Sequence, residues 1–269
     1  MHILTRAAAA LAVAGFCASP LHAAEGVLIV ERTVAGDTTR TSQMQIERER
    51  MRAEMTAPSG GTQIVIFDGP QQVMRMISVD RKSYTEMTKA DADRMGAQVG
   101  AAMAGMKEKL ASLPPEQRAK MEAMMARVGG AGAMMGGAAK PEYRRAGTDK
   151  AGKWTCDKYE GFRNGEKISE VCTVDPKALG LTMADFEISK QVAAFFEKML
   201  PQAADQIFAM GTPEAQGFSG VPVRRINYSG GKVQSTSELT DVRRQTFPDS
   251  SYDVPAGFQK QTMGRMGRP

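Results

Sequence analysis

The stretch TQIVIFDGPQQVMRMISVDRKSYTEM, Thr62 to Met87, decides the fold. It holds three short apolar runs, at 62–67, 73–79 and 82–87, separated by Asp68-Gly69-Pro70 and by Asp80-Arg81. Runs this short, punctuated by turn residues, are strands of an antiparallel meander. The pattern extends upstream. Residues 27–34 are rich in β-branched side chains. Residues 39–56 are polar and charged, with Met44 and Ile46 on one parity and Met51, Ala53 and Met55 on the other. That change of parity predicts a bulge or bend.

Downstream the period changes. Met95, Val99, Met103, Met106 and Leu110 recur at the three- and four-residue steps of one helix face. Pro114-Pro115 breaks that helix. Glu116 and Gln117 open a second one, with Met121, Met124, Met125 and Val128 as its stripe. Residues 129–139 are rich in Gly and Ala and read as a flexible linker. Strands resume at Glu142, with a turn expected at 149–152. The runs 153–162 and 166–174 flank Asn164-Gly165, a strong hairpin signal. Thr182, with Asp185 three residues on, caps a further helix that carries Val192, Phe196, Met199, Leu200, Ala203 and Ile207 and is kinked by Pro201. Strands at 221–228 and 232–244 flank Ser229-Gly230-Gly231, and 252–260 reads as a short final strand.

The first 24 residues have the order of a secretory signal. A short segment carrying Arg6 precedes ten apolar residues, Ala7 to Phe16, and small residues lead to Ala23 and Ala24. Ten apolar residues fall short of the ~20 needed to span a bilayer. Cleavage there would remove His2 and His22, which are the only histidines, and Cys17, which leaves Cys156 and Cys172. In an oxidising compartment these two are expected to pair. With a three-residue loop of Arg163, Asn164 and Gly165, counting outward along the hairpin sets Cys156 directly opposite Cys172.

The same inventory narrows the chemistry. A chain without histidine builds neither a Ser-His-Asp site nor His-ligated zinc. No nucleotide-binding loop or G-x-S-x-G is present. The net charge of +5 is spread along the chain and favours no nucleic acid. Ser229 and Lys232 match S-x-x-K only on a glycine hairpin. Glu160, Glu166 and Glu170 offer the carboxylate pairs of glycoside cleavage, but on an exposed hairpin with Lys158 and Lys167 they read rather as a solvated face. The run Glu47-Arg48-Glu49-Arg50 offers ion pairs to neighbouring strands or, more sharply, a contact to an anion. The twenty methionines, twice the number of phenylalanines, are the most unusual feature. Thioethers suit Cu(I), which makes Met103, Met106, Met121, Met124 and Met125 metal candidates. They equally suit an adaptable apolar helix face.

Val79-Asp-Arg-Lys-Ser-Tyr-Thr-Glu-Met87, Trp154-Thr-Cys-Asp-Lys-Tyr159, Glu170-Val-Cys172 and Val254-Pro-Ala-Gly-Phe258 together resemble an uncharacterised exported family, domain of unknown function four-four-one-two. The family looks like the broader periplasmic lipoprotein-carrier group, which implies an open half-barrel with an apolar cavity and no catalytic residues. The helical stretch Leu113 to Arg118 is similar to segments of small periplasmic chaperones.

The expectation is therefore an α+β chain: a curved antiparallel β-sheet, an open half-barrel, with helices on its concave side. Residues 1–24 are the signal peptide. Residues 25–261 form one domain, with a Met-rich helical segment at 90–128, and 262–269 are a disordered tail. The expected function is a non-enzymatic periplasmic binding or carrier protein for a lipid-like or other apolar ligand, without cofactor. A chaperone or envelope-protein partner, or Met-based Cu(I) binding, are the alternatives.

Overall fold

The computed structural model describes residues 24–57, 60–118, 120–121, 141–199 and 217–262. The expected signal peptide up to residue 23, the linker at 129–139, the kink at Pro201 and the tail from 263 lie outside them, as do Met124 and Met125. The described strands are β1 (Ala24–Ala35), β2 (Thr38–Ile46), β3 (Arg50–Thr56), β4 (Thr62–Asp68), β5 (Val73–Ser78), β6 (Ser83–Thr88), β7 (Glu142–Ala151), β8 (Trp154–Arg163), β9 (Glu166–Val174), β10 (Val221–Ser229), β11 (Lys232–Phe247) and β12 (Gln259–Gln261). They form one open, curved sheet in the order β12-β6-β5-β4-β3-β2-β1-β11-β10-β9-β8-β7. Every neighbouring pair is antiparallel except β12 with β6. The β1–β11 pairing welds the two halves of the chain together.

The meander forms where the apolar runs predict it. The polar stretch before it is a hairpin rather than a bent strand. Residues 47–49 turn the chain, closed by a bond from the Glu47 amide to the Arg50 carbonyl of 2.9 Å. The parity change at Met51 is the mark of that turn. Similarly, β7 runs through Asp149 to Ala151, and the turn falls at Gly152-Lys153.

The hairpin of β8 and β9 departs from the expected register. Asn164 and Gly165 both take positive φ, 52° and 81°, and make a two-residue turn whose twist suits a hairpin. Arg163 faces Glu166, and a bulge at Ile168 then shifts the pairing. Lys158, not Cys156, stands opposite Cys172. Cys156 still reaches Cys172 across the strands, with Cα atoms 5.5 Å apart, and the disulfide forms within the core. It closes a loop of 16 residues. Reducing it should cost about 3 kcal/mol on the chain-entropy account, read as a drop in urea midpoint on adding a phosphine reductant. An unchanged midpoint would mean that the bridge does not constrain the unfolded chain.

One face of the sheet carries the helices. Helix α1 (Lys89–Ser112) starts at a capping box of Thr88 and Asp91 and is stopped by Pro114. Arg118 donates to the carbonyls of Leu110 (3.0 Å) and Ala111 (2.7 Å), satisfying the open helix end. Residues 115–118 and 120–121 are helical. Helix α2 (Glu187–Met199) follows a 3-10 turn, Met183–Phe186, capped by Thr182 and Asp185 as expected. Ile188, Val192 and Phe195 of α2 are buried with Phe67, Met74, Met51 and Val27 of the sheet, and α1 packs on α2. Phe67 meets Phe195 edge to face at 5.5 Å.

The opposite face has its own, smaller core. Leu28, Ile64, Ile66, Ile77, Phe247 and Tyr252 are buried there, flanked by Val79, Tyr84, Val254 and Phe258. The cover is a strap of residues 248–258, which contains a 3-10 turn, Asp249–Tyr252. The expected strand at 252–260 is thus a strap followed by the three residues of β12, which pairs in parallel with β6. Its reason is plain: Tyr252, Val254 and Phe258 bury themselves on the sheet face instead of extending its edge.

Candidate binding cleft

Alternation along the central strands sorts the side chains. Met44 and Ile46 of β2, and Met51 and Ala53 of β3, point to the helix side, which sends Gln45 and Arg52 to the strap side. Gln45 stands opposite Arg52, Arg52 opposite Ile66, and Ile64 opposite Ile77. A cleft of about 260 Å³ lies over this row. Ile64, Ile66 and Ile77 give it an apolar floor, Gln45 and Arg52 a polar end, and the strap supplies Ser250, Ser251, Asp253 and Pro255. Arg52 donates to Glu54 at 2.7 Å, so its charge is already answered. The side-chain oxygen Oε1 of Gln45 is buried and has no hydrogen-bond partner among the described residues.

A polar junction ties the strap down beside this cleft. Glu47 is 4% exposed. Its Oε2 accepts from Arg50 at 3.0 and 2.8 Å, while Arg50 also pairs with Asp249 at 2.7 Å and lies 4.4 Å over the Tyr252 ring. Gly26 permits the approach: a Cβ there would sit 2.4 Å from the Ile46 carbonyl oxygen and 3.0 Å from Glu47 Cγ. Burial pushes the Glu47 carboxyl above its ordinary range even though Arg50 opposes it. Burial first, and then the Glu47 charge, push the Tyr252 phenol up. Glu47 Oε1 and the Tyr252 hydroxyl are both buried without a partner in hydrogen-bond geometry among the described residues. The Glu47 to Arg50 run therefore serves ion pairing, within a turn and to the strap.

The other residues singled out by the sequence lie elsewhere. Glu160 and Glu170 form a network with Lys167 and Lys158, at 2.7 Å for Lys167–Glu160 and 3.0 Å for Lys158–Glu170. Tyr228 donates to Glu170 at 2.9 Å. Burial alone would raise the Glu170 carboxyl, but the bonds from Lys167, Lys158 and Tyr228 outweigh it and bring it down to about 2. Because the folded value is depressed, this group stabilises fully above pH ~5, and its contribution is lost as pH falls toward about 2. Acid unfolding should thus lose on the order of 2 kcal/mol across that window, and Glu170→Gln should flatten the slope. An unaltered pH profile in the variant would refute the assignment. Glu166 accepts from the Gly230 amide at 3.1 Å. Ser229 and Lys232 face each other on an exposed turn. Met103 is half-buried on α1, whereas Met106 and Met121 are 44% and 40% exposed. No cluster of three His, Cys, Asp or Glu side chains suited to a metal occurs among the described residues. No described helix is long and apolar enough to cross a membrane.

Sequence reasoning did not single out the cleft. One signal was available: Ile64-Val-Ile-Phe67 is an unbroken apolar run, and a strand apolar on both parities is covered on both faces. The apolar floor of a second layer was thereby announced, but the strap over it was not.

Comparison with known proteins finds only weak likenesses of shape. No family model matches it, and no curated protein matches it. Among solved structures it is similar to an uncharacterised conserved protein from Thermus thermophilus, at 8% identity and TM-score 0.43, over 89% of this chain and 91% of that one. It is similar to the MucA/MucB complex of Pseudomonas aeruginosa at 8% identity and TM-score 0.35, over 87% of this chain and 56% of that one. A LolA superfamily protein from Nitrosomonas europaea gives 10% identity and TM-score 0.27, over 87% and 91% of the two chains. All three scores are low, and the likeness says nothing of ligand or partner.

Proposed function

We propose that the protein is a non-enzymatic binding or carrier module for a lipid-like or other apolar ligand, acting in the periplasm. The observation that carries this reading is the cleft between sheet and strap. A floor of three isoleucines under the polar side chains of Gln45, Arg52, Ser250, Ser251 and Asp253 holds a ligand's body by contact and fixes its end by hydrogen bonds. The site differs from the pocket expected beneath the helices. There, Phe67, Phe195, Ile188 and Val192 are fully buried against one another in a packed core.

The test is native mass spectrometry of the protein purified without detergent from the periplasm. A fraction carrying a bound apolar mass is expected. Ser250→Trp, on the exposed mouth of the cleft, should reduce that fraction several-fold while the thermal midpoint stays within a few degrees. Protein that is free of ligand, and that takes up none from a lipid extract, would overturn the reading.

A further inference from the structure

We propose that the cleft selects an apolar chain ending in a hydrogen-bond donor, a hydroxyl or an ammonium, over one ending in a carboxylate. The inference rests on the binding role assigned to the cleft above, and specifies the chemistry of what enters.

Four side-chain polar atoms among the described residues are buried without a hydrogen-bond partner: Gln45 Oε1, Glu47 Oε1, the Tyr252 hydroxyl and Ser189 Oγ. Glu47 and Tyr252 lie against each other in the junction that ties the strap down, and Ser189 is on α2. Buried polar atoms are nearly always satisfied, because an unmet one forfeits its hydration with no return. An unmet atom in the wall of a cleft is the pattern left when the missing partner is a bound molecule. Gln45 is the one that walls the cleft. Its amide turns about a broad terminal torsion, so a small rotation presents the oxygen to the cleft. What it requires is a donor.

The charges around it point the same way. Arg52, the one cation lining the cleft, is held by Glu54, and Asp253 adds a carboxylate from the strap. Glu47, two residues along from Gln45, is a further acid, answered by Arg50. A ligand carboxylate would meet the Gln45 oxygen and Asp253, with only the Ser250 and Ser251 hydroxyls, and no uncommitted cation, lining the cleft to receive it. A hydroxyl or an ammonium meets an acceptor in each case. The isoleucine floor takes the chain behind the head group.

The experiment titrates the full chain with 1-hexanol, hexylammonium and hexanoate, followed by amide chemical shifts in the strap and in β2–β4. The hydroxyl and ammonium probes should bind at least about tenfold tighter than hexanoate, the difference made by one buried hydrogen bond. Gln45→Leu should erase that preference and leave the thermal midpoint unchanged or raised, because it removes an unmet acceptor. If the three probes bind alike, or if Gln45→Leu keeps the preference, the donor rule is wrong and the binding role stands. If ammonium binds and hexanol does not, charge on Asp253 decides, and the rule is wrong in another way. If no probe shifts strap resonances while native mass spectrometry still shows bound apolar mass, the ligand sits elsewhere and the inference falls alone. If both are negative, the binding role falls with it.

Discussion

Phe67→Ala should lower the unfolding free energy by about 3–5 kcal/mol, and the thermal midpoint by roughly 6–20 °C. Phe67 is fully buried, 0% exposed, at the point where β4 meets α2. Met51 and Met74 stand beside it on the neighbouring strands, and the Phe195 ring meets it edge to face. Alanine removes the ring and leaves a cavity under the helix. Met side chains at two of its walls are the kind that shift into a gap, so the loss should sit below that of a cavity with rigid walls. The separable expectation is where the damage falls. Hydrogen exchange should accelerate first in α2 and the 3-10 turn before it, and last in β8–β10. A loss under ~1 kcal/mol would mean that the helix layer is not fixed through this contact.

Arg50→Ala should cost about 3–5 kcal/mol at neutral pH, because it leaves Glu47 buried with no cation. The bond to Asp249 contributes little to this figure, since Asp249 is half exposed. Two controls isolate the mechanism. The cost should shrink below pH ~4, where Glu47 is protonated in the folded and unfolded states alike, leaving only lost contacts over the Tyr252 ring. Glu47→Leu should rescue the variant in part, giving a coupling of 1 kcal/mol or more in the double-mutant cycle. Additive losses would show that Arg50 acts by packing on Tyr252 alone.

Local chemistry was legible in the sequence wherever a few adjacent residues settle the outcome. Asp68-Gly69-Pro70, Asn164-Gly165 and Thr182 with Asp185 each mark a turn or cap that the structure contains. The sheet of the first half followed from its short apolar runs. The register of the cysteine hairpin did not, because the loop holds two residues rather than three and the bulge at Ile168 adds a second shift that counting along a regular hairpin does not see. The disulfide pairing survived the error, since two cysteines near opposing strand ends reach each other across either register. The binding cleft was illegible for a different reason. Gln45 and Ser250 lie about two hundred residues apart, and nothing near either shows that they share a wall. Met-rich periodicity drew attention to α1, whereas the unpaired acceptor sits on a polar strand whose residues look like ordinary surface.

The strap has a consequence for how the chain reaches its fold. The sheet face it covers is made well before the strap in synthesis, so Leu28, Ile64, Ile66 and Ile77 stay bare until residues 248–258 exist. β1 likewise waits for β11, made some two hundred residues later. Pairings of such separation make folding slow and disfavour closure of a partial chain. A chain cut short before the strap should remain open and sticky, and the arrival of residues 248–258 is what commits this molecule to its shape.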